Sequence, residues 1–124
     1  MTDKRQLGKL GEDTALKHLK RCGYQILERN FRNRLGEIDI IARHKDTICF
    51  IEVKARRSPV SGLPAESVPL PKQFRLARTA LSYLKYKKLL ESKARFDVVS
   101  ILGGFDGEAQ IEIFQNAFDM PFVG

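Results

Sequence analysis

Residues 36–55, GEIDIIARHKDTICFIEVKA, decide how this chain folds. Two runs rich in β-branched and aromatic residues, Glu37 to Arg43 (EIDIIAR) and Ile48 to Ala55 (ICFIEVKA), flank the polar His44-Lys45-Asp46-Thr47, which is the pattern of a β-hairpin. A hairpin turning symmetrically about Lys45-Asp46 sets Asp39 opposite Glu52 and Glu37 opposite Lys54. Side chains two apart on a strand share a face, so Glu37, Asp39, Glu52 and Lys54 are expected to project together, with Ile38, Ile40, Ile51 and Val53 buried on the other side.

That patch is costly for a fold. Directly opposed like charges destabilise a sheet, and at about 5 Å with an effective dielectric near 20 the Coulomb repulsion is about 3 kcal/mol. A divalent cation between the carboxylates reverses the sign. Mg²⁺ takes one or two carboxylates, keeps waters and accepts phosphate oxygens as further ligands. Asp39 and Glu52 are therefore candidate ligands of Mg²⁺ or Mn²⁺, which would polarise a phosphodiester and acidify a water. Lys54 is placed to orient the nucleophile or stabilise the charge that develops, and Glu37 to balance Lys54 or reach the metal through water. The competing reading is a solvated strand face on which Glu37 pairs with Lys54.

Outward from the hairpin, Thr2 to about Cys22 is helical, with Thr2 as N-cap and Gly8, Gly11, Ala15, Leu19 and Cys22 on one face; Glu12 lies at its edge. Small residues there let the helix approach a sheet closely. Gly23 ends it, and Tyr24 to Phe31 (YQILERNF) reads as a strand. Arg56 to Pro71 is a proline-rich loop. The segment KQFRLARTALSYLKYKKLLES, residues 72–92, reads as a second helix with Phe74, Ala77, Leu81 and Leu84 on its apolar face. Arg95 to Leu102 is a strand, Gly103 to Gly107 a turn, Ala109 to Phe114 a short alternating strand, and Ala117 to Gly124 an irregular apolar tail. The order, helix, three strands, helix, two strands, predicts one α/β domain over residues 1–124, a sheet flanked by helices.

Composition is that of an ordinary soluble domain, with 43% hydrophobic and 30% charged residues. No run approaches the roughly 18 apolar residues of a membrane span, and the N-terminus lacks the apolar core of a signal peptide. Cys22 and Cys49 fall in apolar periodic segments and read as reduced core residues, which suits a cytoplasmic protein. The net charge of +7, from 22 Lys plus Arg against 15 Asp plus Glu, points to a polyanionic partner. Arg32, Arg34, Arg56 and Arg57 bracket the acidic centre, and Lys72, Arg75 and Arg78 recur at three-residue spacing along the second helix. These seven are the candidate nucleic-acid contacts. His18 and His44 are isolated, so no zinc site is expected. Asp97, beside Arg95, reads as a buried structural carboxylate.

Gly36-Glu37-Ile38-Asp39-Ile40-Ile41-Ala42 followed by Phe50-Ile51-Glu52-Val53-Lys54-Ala55-Arg56 resembles the PD-(D/E)xK nuclease superfamily. Within it the chain resembles the YraN-like family of uncharacterised bacterial proteins, through the Gly8, Gly11, Glu12 and Ala15 pattern and Arg95-Phe96-Asp97-Val98-Val99. The resemblance implies a restriction-endonuclease-like core of order αβββαβ, metal ligands at Asp39 and Glu52, and a catalytic lysine at Lys54. It also matches Glu12 to the helix glutamate of archaeal Holliday-junction resolvases, adding Glu12 to the catalytic and metal-binding set. Ile38 stands where the signature has proline, and Ala77 where exonuclease-type relatives have tyrosine, which disfavours that branch.

The expected activity is therefore an Mg²⁺-dependent endonuclease acting on DNA in preference to RNA, branched or recombination intermediates among its substrates. The alternative is a nucleic-acid-binding or partner-docking module that keeps the fold without turnover. A homodimer would present two centres to a symmetric junction, and the apolar run Phe118, Pro121, Phe122, Val123 is the segment available to form it.

Overall fold

The computed structural model describes residues 4–56, 68–103 and 109–120. The elements run α1 (Lys4–Arg21), β1 (Tyr24–Asn33), β2 (Gly36–His44), β3 (Thr47–Arg56), α2 (Leu70–Tyr86), β4 (Lys93–Gly103) and β5 (Ala109–Phe118). The expected restriction-endonuclease-like order, αβββαβ with a further strand, is the order found. Thr2, Arg57, most of the proline-rich loop, the turn through Gly107 and the tail beyond Met120 lie outside the described residues.

The strands form one mixed sheet in the order β1-β2-β3-β4-β5, antiparallel everywhere except between β3 and β4. That parallel pair needs a crossover, which α2 supplies. Lys45 and Asp46 make a tight turn, with Lys45 in the left-handed region at φ 56°, and Lys93 on β4 closes on Asp46 at 2.9 Å. The predicted register holds from His44↔Thr47 to Ile40↔Ile51.

Two apolar layers cover the sheet. On one side Ala15 and Leu19 of α1 pack with Tyr24, Ile40, Ala42, Cys49, Ile51, Val99 and Ile101. On the other, Leu76, Ala77, Ala80, Tyr83 and Leu84 of α2 pack with Ile38, Ile41, Ile48, Phe50, Phe96 and Val98. The central strand β3 is buried continuously from Ile48 to Glu52 because both faces are roofed. Among the described residues, no helix is long and apolar enough to cross a membrane.

The close approach expected of α1 is real and falls at Gly11, where a Cβ would lie 2.6 Å from the Cβ of Ala55. Gly11→Ala is expected to cost about 1 to 3 kcal/mol through overpacking, outweighing the gain in helix propensity of up to about 1 kcal/mol. Denaturant unfolding would show it; equal or greater stability would mean that α1 can lift without loss.

Four expectations are corrected. Cys22 is exposed, because α1 stops at Arg21 and the turn into Gly23 carries Cys22 off the packed face; only Cys49 is in the core, and both thiols are free. The buried face of α2 is Leu76, Ala77, Thr79, Ala80, Tyr83 and Leu84, while Phe74 and Leu81 are half-buried at its sides. The helix ends at Tyr86, not near Ser92, in a Schellman turn: Lys88 takes φ 59°, Lys88 N donates to Lys85 O at 3.1 Å, and Leu89 N donates to Leu84 O at 2.7 Å. Finally, β5 is longer than expected and takes in Phe118, whose ring stacks on Phe96 at 4.8 Å. Phe118 is therefore part of this subunit's packing rather than of a free apolar tail.

Candidate functional site

The β2–β3 ladder stops at Ile40↔Ile51. Asp39 comes next, and the usual alternation of side chains fails there, since Ile38 belongs to the α2 layer and Ile40 to the α1 layer. Across on β1, Asn30 adopts φ 55° between the pairs Arg29↔Ile40 and Phe31↔Ile38. The Asp39 carboxylate turns into the gap, and its Oδ2 accepts the backbone N–H of Val53 at 2.8 Å. It replaces the ladder acceptor that Val53 would otherwise lack.

Glu52 follows on β3 with 8% exposure, on the face towards α2. Its Oε1 accepts from Lys72 Nζ at 2.6 Å. Lys54, on the same face, is half-buried. Because the ladder has opened, side chains from both faces of β3 reach one cleft of about 410 Å³, lined by Gly8, Glu12, Asp39, Glu52, Val53, Lys54 and Ala55. Glu12 enters from α1. Asn30, with its amide oriented to match donors to acceptors, gives Glu12 two hydrogen bonds of 3.1 and 3.2 Å. Arg29 Nη2 stands 3.8 Å from Glu12 and also pairs with Asp13.

The electrostatics record the crowding. Burial, then the negative charge of Glu52, push the Asp39 carboxyl up to about 7; Glu12 adds to this, while the Val53 N–H and the charge of Lys72 oppose it. Burial, then the neighbouring ammonium of Lys72, lower the Lys54 pKa, with Glu52 and Asp39 opposing.

Whether the residues suit a divalent cation can be judged from the donors. Asp39, Glu52 and Glu12 are hard oxygen ligands on one cleft. Among the described residues no three His, Cys, Asp or Glu side chains are already drawn together around a single point. Each carboxylate instead has a protein partner: Val53 N–H, Lys72, or Asn30 with Arg29. Mg²⁺ requires only one or two carboxylates, so the donor chemistry of Asp39 and Glu52 fits it, and Glu12 lines the same cleft.

Glu37 is not part of this cluster. The sheet pairs it with Arg32 of β1, and Arg32 Nη2 reaches its carboxylate at 2.7 Å in an exposed ion pair, so it neither faces nor balances Lys54. The expectation failed because it carried the hairpin register past the point where the ladder ends. Arg34, Arg75 and Arg78 are exposed and Arg56 is half-buried. Lys72 leaves the expected helical stripe and pairs with Glu52. Topology could have found it: a helix joining two parallel strands runs back along them, so its first turn falls at the C-terminal end of β3, beside Glu52 and Lys54.

Asp97 lies outside the cleft, fully buried, accepting from Arg95 Nε at 3.0 Å, Tyr24 OH at 3.0 Å and the Asn116 backbone N–H at 2.9 Å. Arg95 Nη2 continues to His44 Nδ1 at 3.0 Å, and the His44 ring stacks on Tyr24. Residues from β1, β2, β4 and β5 are tied in this one polar cluster. Burial, then the charge of Asp97, push the nearby Cys49 thiol up to about 12, which leaves it unreactive.

Fold and cleft together define the class: an α/β domain of order αβββαβ plus a further strand, with three carboxylates and a lysine lining one cleft. The chain belongs to the family described as Uncharacterised protein family UPF0102, whose sequence profile matches residues 11–101, in keeping with the YraN-like resemblance. It is similar to the UPF0102 protein of Syntrophus aciditrophicus, 48% identical over 122 residues covering 98% of this chain and 95% of that protein. It is similar also to the UPF0102 protein of Caldicellulosiruptor saccharolyticus, 44% identical over 117 residues covering 94% and 99%. Among solved structures, Pyrococcus furiosus SfsA in complex with Ca²⁺ matches with TM-score 0.43 and 17% identity, over 91% of this chain and 64% of that one.

Proposed function

We propose that this chain is a divalent-metal-dependent endonuclease that hydrolyses DNA phosphodiester bonds, branched repair or recombination intermediates among its substrates. One observation carries the reading: the ladder opens at Asp39 so that a buried carboxylate, Glu52, and a half-buried one, Asp39, share one cleft with a half-buried lysine, an arrangement that costs stability unless a cation joins it. Asp39 and Glu52 would hold Mg²⁺ or Mn²⁺, assisted by Glu12. The chemistry such an ion supplies is Lewis-acid polarisation of the phosphodiester and acidification of a water. Lys54 places a positive charge beside the same carboxylates, where it orients the attacking group and offsets charge developing on the phosphate. Exposed Arg32, Arg34, Arg75 and Arg78 and half-buried Arg56 are assigned as phosphate contacts, and Arg57 joins the same set from its place in the sequence.

The test is cleavage of labelled linear, flapped and four-way DNA, with RNA counterparts, in Mg²⁺ or Mn²⁺. The wild type is expected to cut DNA, and Glu52→Ala and Lys54→Ala to lose at least about 100-fold in rate while remaining folded. Activity that persists in both variants would overturn the site assignment. The rival reading, a binding module without turnover, draws on the protein partner that each carboxylate already has. Salt-dependent DNA binding with no cleavage on any substrate or metal would establish it.

A further inference from the structure

Lys72 sits where a cation belongs. Its Nζ lies 2.6 Å from Glu52 Oε1, with the side chain of Glu52 10% exposed and that of Lys72 33% exposed. The ion pairs Arg32–Glu37 and Lys93–Asp46 lie between exposed partners and contribute little. A nearly buried carboxylate needs an opposite charge or a hydrogen-bond donor, and Lys72 gives Glu52 both.

Lysine suits a temporary partner. Its ammonium is a compact point charge on a flexible four-carbon stem, and it lacks the rigid bidentate fork that locks an arginine to a carboxylate. It occupies the first turn of α2, which contains no acidic residue and whose N-cap, Pro69, makes no side-chain hydrogen bond. Arg75 and Arg78 follow on the same helix and are exposed. An ammonium released from Glu52 therefore has no acidic side chain on its own turn to bind, and enters a basic surface. A divalent ion and the ammonium compete for one carboxylate, so binding of either weakens binding of the other.

We propose that Lys72 is an exchangeable counter-ion: it holds Glu52 in the metal-free protein, yields the carboxylate to a divalent cation, and then takes a phosphate of the nucleic acid. The inference rests on the reading of the cleft as a metal centre. It makes metal loading and phosphate capture parts of one event. It also assigns Lys72 effects of opposite sign, which neither a structural lysine nor a plain phosphate contact would have.

Mn²⁺ titrated calorimetrically into the full chain tests this, using wild type, Lys72→Gln and Lys72→Arg. The Gln variant is expected to bind Mn²⁺ about tenfold more tightly, having lost the competing charge, and the Arg variant to bind it more weakly than wild type, its fork holding Glu52 against exchange. With Mn²⁺ and a phosphorothioate duplex, the Gln variant is also expected to bind DNA more weakly, its log–log salt slope shallower by about one. Equal Mn²⁺ affinity in wild type and Lys72→Gln would overturn the exchange while leaving the metal centre intact. No Mn²⁺ binding in any of the three would overturn the metal centre and the exchange with it. Should Lys72→Gln be too unstable without metal, thermal unfolding replaces calorimetry: a larger Mn²⁺-induced rise in Tm than in wild type supports the exchange, and an equal or smaller rise overturns it.

Discussion

Asp39→Asn is expected to abolish metal-dependent cleavage, by about three orders of magnitude or more, while making the metal-free protein more stable at pH 8. The two effects share a cause. An asparagine still accepts the Val53 N–H through its carbonyl oxygen, so the open end of the ladder keeps its bond. It removes one of two crowded negative charges and offers an N–H to Glu52 in place of the repulsion that, after burial, raises the Asp39 pKa to about 7. The gain at pH 8 is expected to be about 1 to 3 kcal/mol, given roughly 1.4 kcal/mol for each pH unit by which titration is displaced.

The pH dependence has a definite sign. From the ordinary value of 3.8 up to about 7, the folded protein retains a proton on Asp39 that the unfolded chain has released. Unfolding releases protons in that window, so the metal-free wild type loses stability as pH rises through it and levels off above. Asp39→Asn is expected to lack this slope. Metal uptake runs the other way, because a cation must displace the proton below pH 7, and apparent Mg²⁺ affinity should fall on acidification. Urea unfolding from pH 4 to 8, with EDTA or with Mg²⁺, would show both. A wild-type slope identical to that of the variant would mean that Asp39 titrates as an ordinary carboxylate.

Asp97→Ala is expected to produce the largest loss of stability, about 3 to 5 kcal/mol. The substitution strands a partly buried guanidinium, Arg95, and removes the acceptor of Tyr24 OH and of the Asn116 N–H. That N–H is available because β5 bulges: the β4–β5 register shifts between Phe96↔Phe118 and Val98↔Phe114, and Asn116 sits at φ 52°. Burial, then the negative charge of Asp97, push the Tyr24 hydroxyl up to about 12, so it stays a donor throughout the working pH range. Asp97→Asn should cost less, since an amide oxygen can still accept from Asn116. At temperatures where the Ala variant remains folded, its metal affinity is expected to match wild type, because Asp97 does not line the cleft. Unfolding monitored by circular dichroism would check the loss, and a shift below about 1 kcal/mol would show that the cluster relaxes onto water.

The two aspartates act alike locally, each supplying an acceptor where a ladder has lost one, and the difference in surroundings separates their roles. Asp97 meets a guanidinium, a hydroxyl and an amide. Asp39 meets one amide and two further carboxylates. The pairing of an acid with an adjacent arginine made the first role legible from Arg95-Phe96-Asp97. For the second, the hairpin pattern marked Asp39, Glu52 and Lys54 as neighbours, and all three line one cleft, although the ladder ends before it would pair Asp39 with Glu52.

What escaped the sequence escaped for identifiable reasons. Uniform alternation places Ile38 and Ile40 on one face and Glu37 beside Lys54; the positive φ of Asn30 and the early end of the ladder defeat both, and a single strand pattern carries no mark of either. The end of α2 was missed because the left-handed position of its Schellman turn is filled by Lys88, not by glycine, leaving an uninterrupted helical pattern. Phe74 and Leu81 were assigned to the buried face because composition alone ranks them above Thr79. Thr79 is fully buried, with its hydroxyl donating to Arg75 O at 2.8 Å, which removes the cost of burying it. Lys72 was read as one of three helix-surface cations, although the parallel crossover carries the start of α2 to Glu52.

Whether Asp39 and Glu52 share a divalent ion, as proposed, is tested by soaking a crystal of the full chain in Mn²⁺ and measuring its anomalous scattering. One peak is expected within about 2.3 Å of an oxygen from each carboxylate, with the ammonium of Lys72 moved off Glu52 Oε1. A map with no peak in the cleft, or with a peak bound elsewhere while Lys72 still holds Glu52, would contradict it.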